Sequence, residues 1–433
     1  MSKELALHTL VQSDKFAKML PALYGSAYDL EYQRRRYLKL IATHRELFPK
    51  ADFAKSALFS TAGRSELGGN HTDHNLGKVI AATINLDTIA IATPIESPSI
   101  TLISEGFPPV EVDLTSLELK EAEKGSTNAL VRGLAAAFVE RGLTVGGFVA
   151  NTTTNVLKGS GLSSSAAIEM LVATIFNALY NANRATVVEM AQMAKFAENI
   201  YFGKPSGLMD QIACGYGGVV GIDFKDLTIT PIAVDFREMG YELVVVDTGS
   251  THADLTDDYA SIPLEMRQVA SYFSKEFLRE VTLEQFLDNL PALRKAIDTD
   301  RALLRTYHYL SENIRVDALI QALKENSIQR FLALVNASGE SSFAFLQNIY
   351  SPHNPEEQGL ALALALSKHF LDGDGACRVH GGGFGGTIQA YIPKGQTEDY
   401  ISFMERVFKK GSVTPLAVRS APTLCLNKFV EEF

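Results

Sequence analysis

The sequence contains no tryptophan and only three cysteines in 433 residues. Cys214, Cys377 and Cys425 are far apart, odd in number and without C-x-x-C spacing, which argues against a disulfide framework or a cysteine zinc site and favours a reducing cytoplasm. No stretch approaches the roughly 20 apolar residues that a membrane helix needs. The first twenty residues mix charged and apolar side chains, unlike a signal peptide. We therefore expect a cytoplasmic protein that is not bound to a membrane.

An excess of positive charge is also absent, since the formal net charge is −10 at pH 7. A nucleic-acid-binding surface would need a basic face, so we expect no nucleic-acid partner. A nucleotide ligand remains possible, because backbone N–H groups bind phosphate without a basic protein. The length exceeds that of a usual single core and predicts two domains.

The pattern of apolar residues predicts an α+β protein with mixed helices and strands and no regular βαβ repeat. A polar stretch at 237–240 places the domain boundary between an N-terminal domain, 1–238, and a C-terminal domain, 239–433. Helices are expected to dominate from Leu264 to Leu346, with a break at Asn289-Leu290-Pro291. Other expected helices are 1–50, 128–141, 164–180 and 186–202, and the expected strands are 79–93, 217–224, 243–248 and one near Ala417.

The segment "KGSGLSSSAAIE", residues 158–169, joins a glycine-serine loop directly to helix-forming residues. A glycine loop that opens a helix directs free N–H groups at one point, and the helix dipole favours negative charge there. Serine hydroxyls add hydrogen bonds or coordinate Mg²⁺. The Walker pattern is absent. The alternative is a flexible turn that merely caps a helix.

Two carboxylates and a second glycine-rich segment follow. Glu198 lies near the end of a predicted helix that Gly203 closes, and Asp210 stands in the apolar, glycine-containing context "KPSGLMDQ". Taken alone, Glu198 is better explained as a surface helix residue, and Asp210 fits a helix N-cap. The segment "RVHGGGFGGTIQAY", residues 378–391, has more glycine than a turn requires and predicts a close backbone approach.

Together with "GRSELGGNHTDHN", residues 63–75, these segments resemble the three ordered motifs of the GHMP-superfamily small-molecule kinases. The first motif resembles the galactokinase signature in particular. "AENIYFGKPSGLMDQ" and "THADLTDDYASIPLEMRQ" extend the similarity. The resemblance implies a ribosomal-protein-S5-like N-terminal domain and a ferredoxin-like C-terminal domain with a helical insertion. It implies an active site between them that uses ATP and Mg²⁺ to phosphorylate galactose at its anomeric (C1) hydroxyl.

The resemblance also assigns roles to residues. Asp210 is the expected base or orienting group, and Arg64 steadies charge beside it. An adjacent Arg64 would keep Asp210 ionised. The residues expected to contact the sugar are Asn70, His71, Asp73 and Tyr259; those expected to bind the ATP phosphates are Gly159, Ser160, Gly161, Leu162, Ser163, Ser164, Ser165 and Ala166; and those expected to bind Mg²⁺ are Ser165 and Glu198.

The first motif departs from the usual Arg-Val-Asn-Leu-Ile-Gly-Glu-His-Thr-Asp-Tyr-Asn, since Glu66 replaces asparagine and Asn70 replaces glutamate. A neutral amide at Asn70 would remove repulsion against a carboxylate-bearing sugar. Galacturonate is therefore an alternative substrate, unless Glu66 returns the negative charge. A later histidine of the family is replaced by Gly339.

Three other readings remain open. His71, Asp73 and His74 are residue types that suit a zinc or iron site. A sugar sensor that kept the fold and lost catalysis is a second alternative, although the serine loop and Asp210 are intact. Other superfamily members phosphorylate mevalonate derivatives, homoserine or methylerythritol intermediates. The sequence leaves the oligomeric state open, and we expect a monomer.

Overall fold

The computed structural model describes residues 3–26, 28–156, 161–204, 206–250 and 255–433. The strands in these ranges are β1 (Ala57–Gly68), β2 (Lys78–Pro94), β3 (Ser99–Ser104), β4 (Val110–Asp113), β5 (Phe148–Thr154), β6 (Val219–Asp223), β7 (Thr228–Ile232), β8 (Tyr241–Asp247), β9 (Ala376–Val379), β10 (Thr387–Pro393), β11 (Val413–Leu416) and β12 (Leu424–Cys425).

The α-helices are α1 (Lys3–Gln12), α2 (Asp14–Tyr24), α3 (Leu30–Leu47), α4 (Thr127–Glu140), α5 (Ser164–Tyr180), α6 (Val187–Phe196), α7 (Met209–Tyr216), α8 (Thr256–Tyr272), α9 (Leu283–Ala296), α10 (Asp300–Lys324), α11 (Ile328–Ser341), α12 (Gly359–Leu371), α13 (Thr397–Phe408) and α14 (Leu426–Phe429). π-Helical turns occupy Ala197–Phe202 and Ser342–Leu346. Short 3₁₀ turns occupy Phe53–Lys55, Asp73–Asn75, Glu121–Glu123, Leu278–Glu280 and Val430–Glu432.

The first sheet has eight strands, in the order β12-β1-β2-β5-β3-β4, with β6 paired to β2 and β7 paired to β6. The long strand β2 alternates its side chains between two cores, as the two-residue period of a strand requires. Ala90 and Ala92 pack with helices α4 to α7, whereas Ile89 and Ile91 pack with the N-terminal helices. Both faces of the sheet are therefore covered, which explains why β1 and β2 are buried along most of their length.

The second sheet has the order β11-β8-β10-β9, and all of its pairs are antiparallel. Helices α12 and α13 pack on one face through a core that includes Val244, Ile388 and Tyr400. A second core lies between the sheets and includes Leu67 of β1, Leu243 of β8 and Phe331 of α11. The first motif on β1 thus lies where the two halves of the molecule meet.

The α+β class is confirmed, but the expected helix break at Asn289-Leu290-Pro291 is wrong. Helix α9 runs through Pro291. Proline removes one backbone hydrogen bond, the one to the carbonyl four residues earlier. That carbonyl belongs to Leu287, whose side chain is exposed, so water can replace the lost bond.

The C-terminal segment returns to the first sheet, because β12 pairs with β1 at Phe59 and Ser60. The boundary at 238/239 stays a prediction, and the last residues pack with the N-terminal half whichever boundary is used. Among the described residues, no helix is both long enough and apolar enough to span a bilayer.

Candidate active site

Arg64 on β1 and Asp210 in the first turn of α7 form an ion pair, with 2.8 Å between Nε and Oδ1. The expected contact between these two residues is present. The other carboxylate oxygen, Oδ2, accepts a hydrogen bond of 2.5 Å from the Ser163 hydroxyl. Arg64 is buried, while the side chain of Asp210 is 36% exposed. The carboxylate is thus held in place by two donors and remains open on one side.

Burial by itself would raise the pKa of Asp210, but the Arg64 guanidinium, and then the Ser163 hydroxyl, hold that pKa below its ordinary value. Asp210 is therefore ionised at neutral pH. An ionised carboxylate can accept a proton from a hydroxyl or orient that hydroxyl by a hydrogen bond.

The serine loop is attached directly to β1. Arg64 N donates to Leu162 O at 3.1 Å, and the Arg64 guanidinium donates to Gly161 O. Ser163 adopts a left-handed conformation with φ of 61°, after which α5 begins at Ser164. Gly159 and Ser160, also expected to bind phosphate, lie outside the described residues.

Helix α5 has no side-chain cap at its N-terminus. Within the described residues, the backbone N–H groups of Ser164, Ser165 and Ala166 have no hydrogen-bond partner. Unpaired N–H groups at a helix start favour an anion. The helix begins beside the Arg64–Asp210 pair, so a phosphate bound there would lie close to that carboxylate.

Glu198 lies in the π-helical turn that ends at Gly203, rather than in a continuous helix to residue 202. Such turns occur frequently at functional sites. The Glu198 carboxylate is buried and receives donors from Lys204 at 3.1 Å, Ser206 at 2.6 Å and Gln211 at 2.9 Å. Sequence reasoning missed Lys204, Ser206 and Gln211. Their only signal was their position inside "AENIYFGKPSGLMDQ".

His71 and Asp73 lie on the turn that follows β1. His71 Nε2 donates to Gly382 O at 2.7 Å, and burial lowers the His71 pKa to about 4, so the ring is neutral. Gly207 approaches Asp73 so closely that a Cβ there would lie 1.7 Å from Asp73 Oδ2. Burial, followed by the charges of Asp210 and Glu66, raises the pKa of Asp73 to about 6.

Tyr259 stacks on His71, with ring centroids 6.4 Å apart, and donates to Gly383 O at 3.0 Å. The expected close backbone approach of the second glycine-rich segment is observed, but it is an approach to protein. A Cβ at Gly382 would lie 2.4 Å from the Tyr259 ring. Gly382 therefore lets this segment pack closely on Tyr259, while the Gly382 carbonyl accepts the hydrogen bond from His71 of the N-terminal half.

Asn70 is the residue for which the structure corrects the sequence interpretation. Its side chain is fully buried. The amide nitrogen donates to Glu66 at 3.1 Å and to Gly381 O at 2.7 Å, and the amide oxygen accepts from Ser342 at 3.2 Å and Asn348 at 2.8 Å. All of its hydrogen-bonding capacity is used inside the protein. Asn70 therefore has no free group for a sugar, which removes the reason for considering galacturonate as an alternative substrate.

The zinc or iron alternative is not supported either. His71 Nε2 is engaged with Gly382 O, and His74 Nδ1 is paired with Asn75 Nδ2 at 3.2 Å. No group of three or more histidine, cysteine, aspartate or glutamate residues that could hold a metal occurs in the part of the chain that the structure describes.

Comparison with known proteins gives matches over two segments that contain most of these site residues. A family profile described as "GHMP kinases N terminal domain" matches residues 129–218, and one described as "Galactokinase galactose-binding signature" matches residues 42–94. The galactokinase of Enterococcus faecalis is 30% identical over 357 residues, which cover 80% of this chain and 88% of the relative. The chain belongs to the galactokinase family.

A second relative agrees with this membership, and two solved structures share the fold. The Clostridium tetani galactokinase is 28% identical over 354 residues, covering 78% of this chain and 85% of the relative. The crystal structure of Lactococcus lactis galactokinase complexed with galactose matches with a TM-score of 0.75 at 24% identity, over 88% of this chain and 97% of that one. A mevalonate kinase structure matches with a TM-score of 0.59 at 16% identity, over 83% and 98% of the two chains. The fold is therefore that of the GHMP kinases, and the protein is a sugar kinase with ATP as its phosphoryl-donor substrate.

Proposed function

We propose that this kinase transfers the γ-phosphoryl group of ATP to the anomeric (C1) hydroxyl of galactose. The observation that carries the proposal is the half-open Asp210 carboxylate, held by Arg64 and Ser163 at the start of α5. Phosphoryl transfer depends mainly on alignment and on stabilisation of charge. An ionised carboxylate next to an anion-binding helix start meets both needs, since it orients the hydroxyl close to the phosphate.

In this proposal Asp210 accepts the hydroxyl proton or orients the hydroxyl, and Arg64 stabilises the negative charge that develops. The residues of the loop, from Gly159 to Ala166, hold the phosphates. His71, Asp73 and Tyr259 hold the sugar. Galactose is proposed because the related enzymes are named galactokinases and the Lactococcus lactis structure contains galactose.

The donor set near α5 fits Mg²⁺, which takes oxygen ligands and is usually bound by one or two carboxylates together with substrate phosphates. Glu198 supplies a carboxylate, and Ser165 has an exposed hydroxyl in the first turn of α5. We assign Ser165 and Glu198 as the residues that would hold the ion. When bound, Mg²⁺ would neutralise charge on the transferring phosphoryl group.

A matched pair of variants tests the metal assignment. Glu198→Gln should raise the Mg²⁺ concentration for half-maximal rate by about tenfold while changing the KM for the sugar much less. Glu189→Gln, at an exposed position on the preceding helix α6, is the control. An unchanged Mg²⁺ dependence in Glu198→Gln would show that Glu198 is not a ligand.

The central test is a coupled kinase screen over galactose, galacturonate, N-acetylgalactosamine, arabinose and glucose, followed by NMR to locate the phosphate. We expect the highest kcat/KM for galactose, with the phosphate on C1. A preference for galacturonate would contradict the sugar assignment. Sugar binding without ATP consumption for every sugar would support the sensor alternative. We also propose a cytoplasmic location, in keeping with three unpaired cysteines in the described residues.

A further inference from the structure

Behind the Asp210 carboxylate lies a buried polar contact that the proposed reaction does not use. Glu169 of α5, Gln211 of α7 and Glu198 of the π-helical turn form a chain of hydrogen bonds. Gln211 Nε2 lies 3.1 Å from Glu169 Oε2 and 2.9 Å from Glu198 Oε2. Each of the three residues is at most 4% exposed. Two carboxylates therefore share a single amide group in the interior.

The two carboxylates differ in how well they are stabilised as anions. Glu198 receives the Lys204 ammonium and the Ser206 hydroxyl in addition to Gln211. Glu169 receives only Gln211 within the described residues. Burial, and then the charge of Glu198, raise the pKa of Glu169 well above its ordinary value. Glu169 is therefore the carboxylate with fewer donors to stabilise its anion.

Two oxygen atoms in this contact have no partner among the described residues. They are Glu169 Oε1 and Gln211 Oε1, and both are buried. A buried polar atom without a partner costs about 1–3 kcal/mol. Both atoms are acceptors as long as Glu169 is ionised, so neither can satisfy the other. A proton on Glu169 Oε1 turns that atom into a donor and provides a partner for Gln211 Oε1.

We propose that Glu169 is a neutral carboxylic acid that donates a hydrogen bond from Oε1 to Gln211 Oε1, and that this acid–amide pair positions the Glu198 carboxylate. Glu169 Oε2 accepts one N–H of Gln211 in the same pair. The second N–H of Gln211 is then directed at Glu198 Oε2. Rotation of the amide by half a turn would present an acceptor oxygen to Glu198, so only this orientation of the pair offers the Glu198 carboxylate an N–H.

Glu169 is thus a positioning residue that acts through Gln211. Gln211 directly follows Asp210, so the same contact fixes the start of α7, where Asp210 lies. The charged and titratable groups that face Glu169 are Glu198, Lys204 and Asp210, together with the Cys214 thiol. An ionised Glu169 would add a third negative charge where a triphosphate is proposed to bind. The effect of Glu169 on catalysis depends on the proposed role of Glu198 as a Mg²⁺ ligand. The protonation of Glu169 is independent of that role.

Two substitutions separate a neutral donor from a carboxylate anion. Glu169→Gln can keep both hydrogen bonds to Gln211 as an amide–amide pair, so kcat and the Mg²⁺ dependence should stay within about threefold of wild type. Glu169→Leu keeps similar bulk but removes both bonds, so kcat/KM should fall by at least about tenfold. A loss in Glu169→Gln as large as that in Glu169→Leu would overturn the proposal. Circular dichroism checks that both variants fold.

Infrared spectroscopy gives a readout that is independent of activity. The wild-type minus Glu169→Gln difference spectrum at pH 7 should contain the C=O stretch of a protonated carboxylic acid, shifted in D₂O. The control Glu46→Gln, at an exposed position on α3, should give no such band. Absence of the band in the Glu169 spectrum would overturn the proposal even if both variants are active. Presence of the band together with an unchanged Mg²⁺ dependence in Glu198→Gln would refute only the assignment of Glu198.

Discussion

Arg64 and Glu66 lie two residues apart on β1, and each forms an ion pair with a distant part of the chain. Arg64 pairs with Asp210 at 2.8 Å, and Glu66 pairs with Arg378 of β9 at 2.7 Å. The side chains of Glu66 and Arg378 are 4% and 0% exposed, whereas that of Asp210 is 36% exposed. We call the fully buried Glu66–Arg378 ion pair the closed pair and the partly exposed Arg64–Asp210 ion pair the open pair.

The closed pair joins the two sheets. Glu66 also accepts from Asn70, and Arg378 donates its Nε–H to Val379 O. Burial raises the pKa of Glu66, and the Arg378 guanidinium opposes that effect. No polar group of Asn70 is left for a ligand, so this network holds β1 against β9.

The open pair uses a similar set of donors but leaves one side of a carboxylate accessible. A buried ion pair is a weak source of stability, because desolvation offsets the attraction, but breaking it by removing one partner is costly. Removing the partly exposed Asp210 carboxylate lets water reach the Arg64 guanidinium, so the cost to the fold is smaller than for a fully buried pair. The comparison therefore predicts that loss of Asp210 reduces activity and that loss of Glu66 reduces stability.

The largest expected effect is on turnover in Asp210→Asn. General-base assistance contributes about 10²–10⁴-fold, so kcat should fall within that range. ATP binding should survive, because the first turn of α5 is unchanged. The measurements are steady-state kinetics and calorimetric titration with ATP.

Asp399→Asn is the matched control, since Asp399 is an exposed aspartate in the first turn of α13. It should leave both quantities unchanged. Near-normal turnover in Asp210→Asn would show that the open pair is not catalytic.

The open pair could be predicted although Arg64 and Asp210 are 146 positions apart, because each residue stands in a segment that carries the family resemblance. Helix α5 has the predicted bounds, Ser164 to Tyr180. The glycine-serine loop and the carboxylate at Asp210 each stand inside a recognisable motif. The π-helical turn at Ala197–Phe202 was not predicted. A helical periodicity does not reveal one extra residue within a turn.

The closed pair was not predictable, because its partners are 312 positions apart. The Asn70 amide forms hydrogen bonds with residues 342, 348 and 381. Nothing in the sequence around those residues indicates a contact with Asn70. The substitutions at 66 and 70 were visible as departures from the family pattern. Both substitutions are explained by the hydrogen bond between Asn70 and Glu66. The asparagine and glutamate of the family pattern have exchanged positions, and the sequence alone does not show that the two side chains are in contact.

The second prediction concerns this exchange. Glu66→Asn leaves Arg378 as a buried cation without its carboxylate, and the free energy of unfolding should fall by about 3–5 kcal/mol. Asn70→Glu places a second carboxylate beside Glu66 and should also destabilise the protein. The double variant restores one glutamate and one asparagine, so it should be more stable than the sum of the singles by about 1–3 kcal/mol.

Urea unfolding of the wild type and the three variants measures this coupling. Glu111→Asn, on the exposed face of β4, is the control for the substitution itself and should change stability by less than about 0.5 kcal/mol. If the effects of the two single variants simply add, residues 66 and 70 do not form an exchanged pair.

The smallest expected effect concerns Asp73, which lies on the turn after β1. Its pKa is raised to about 6, while the pKa of Asp210 is lowered and those of His71 and His74 lie near 4 and 3. Of these four groups only Asp73 changes charge between pH 5 and 7. If the ionised carboxylate accepts hydrogen bonds from sugar hydroxyls, affinity rises as the proton leaves. The kcat/KM for galactose should therefore increase about tenfold from pH 5 to 7, as the ionised fraction does. Asp73→Asn should have a lower kcat/KM and no such step. A step that persists in Asp73→Asn would belong to another group, and Asp73 would then be a structural residue like Asn70.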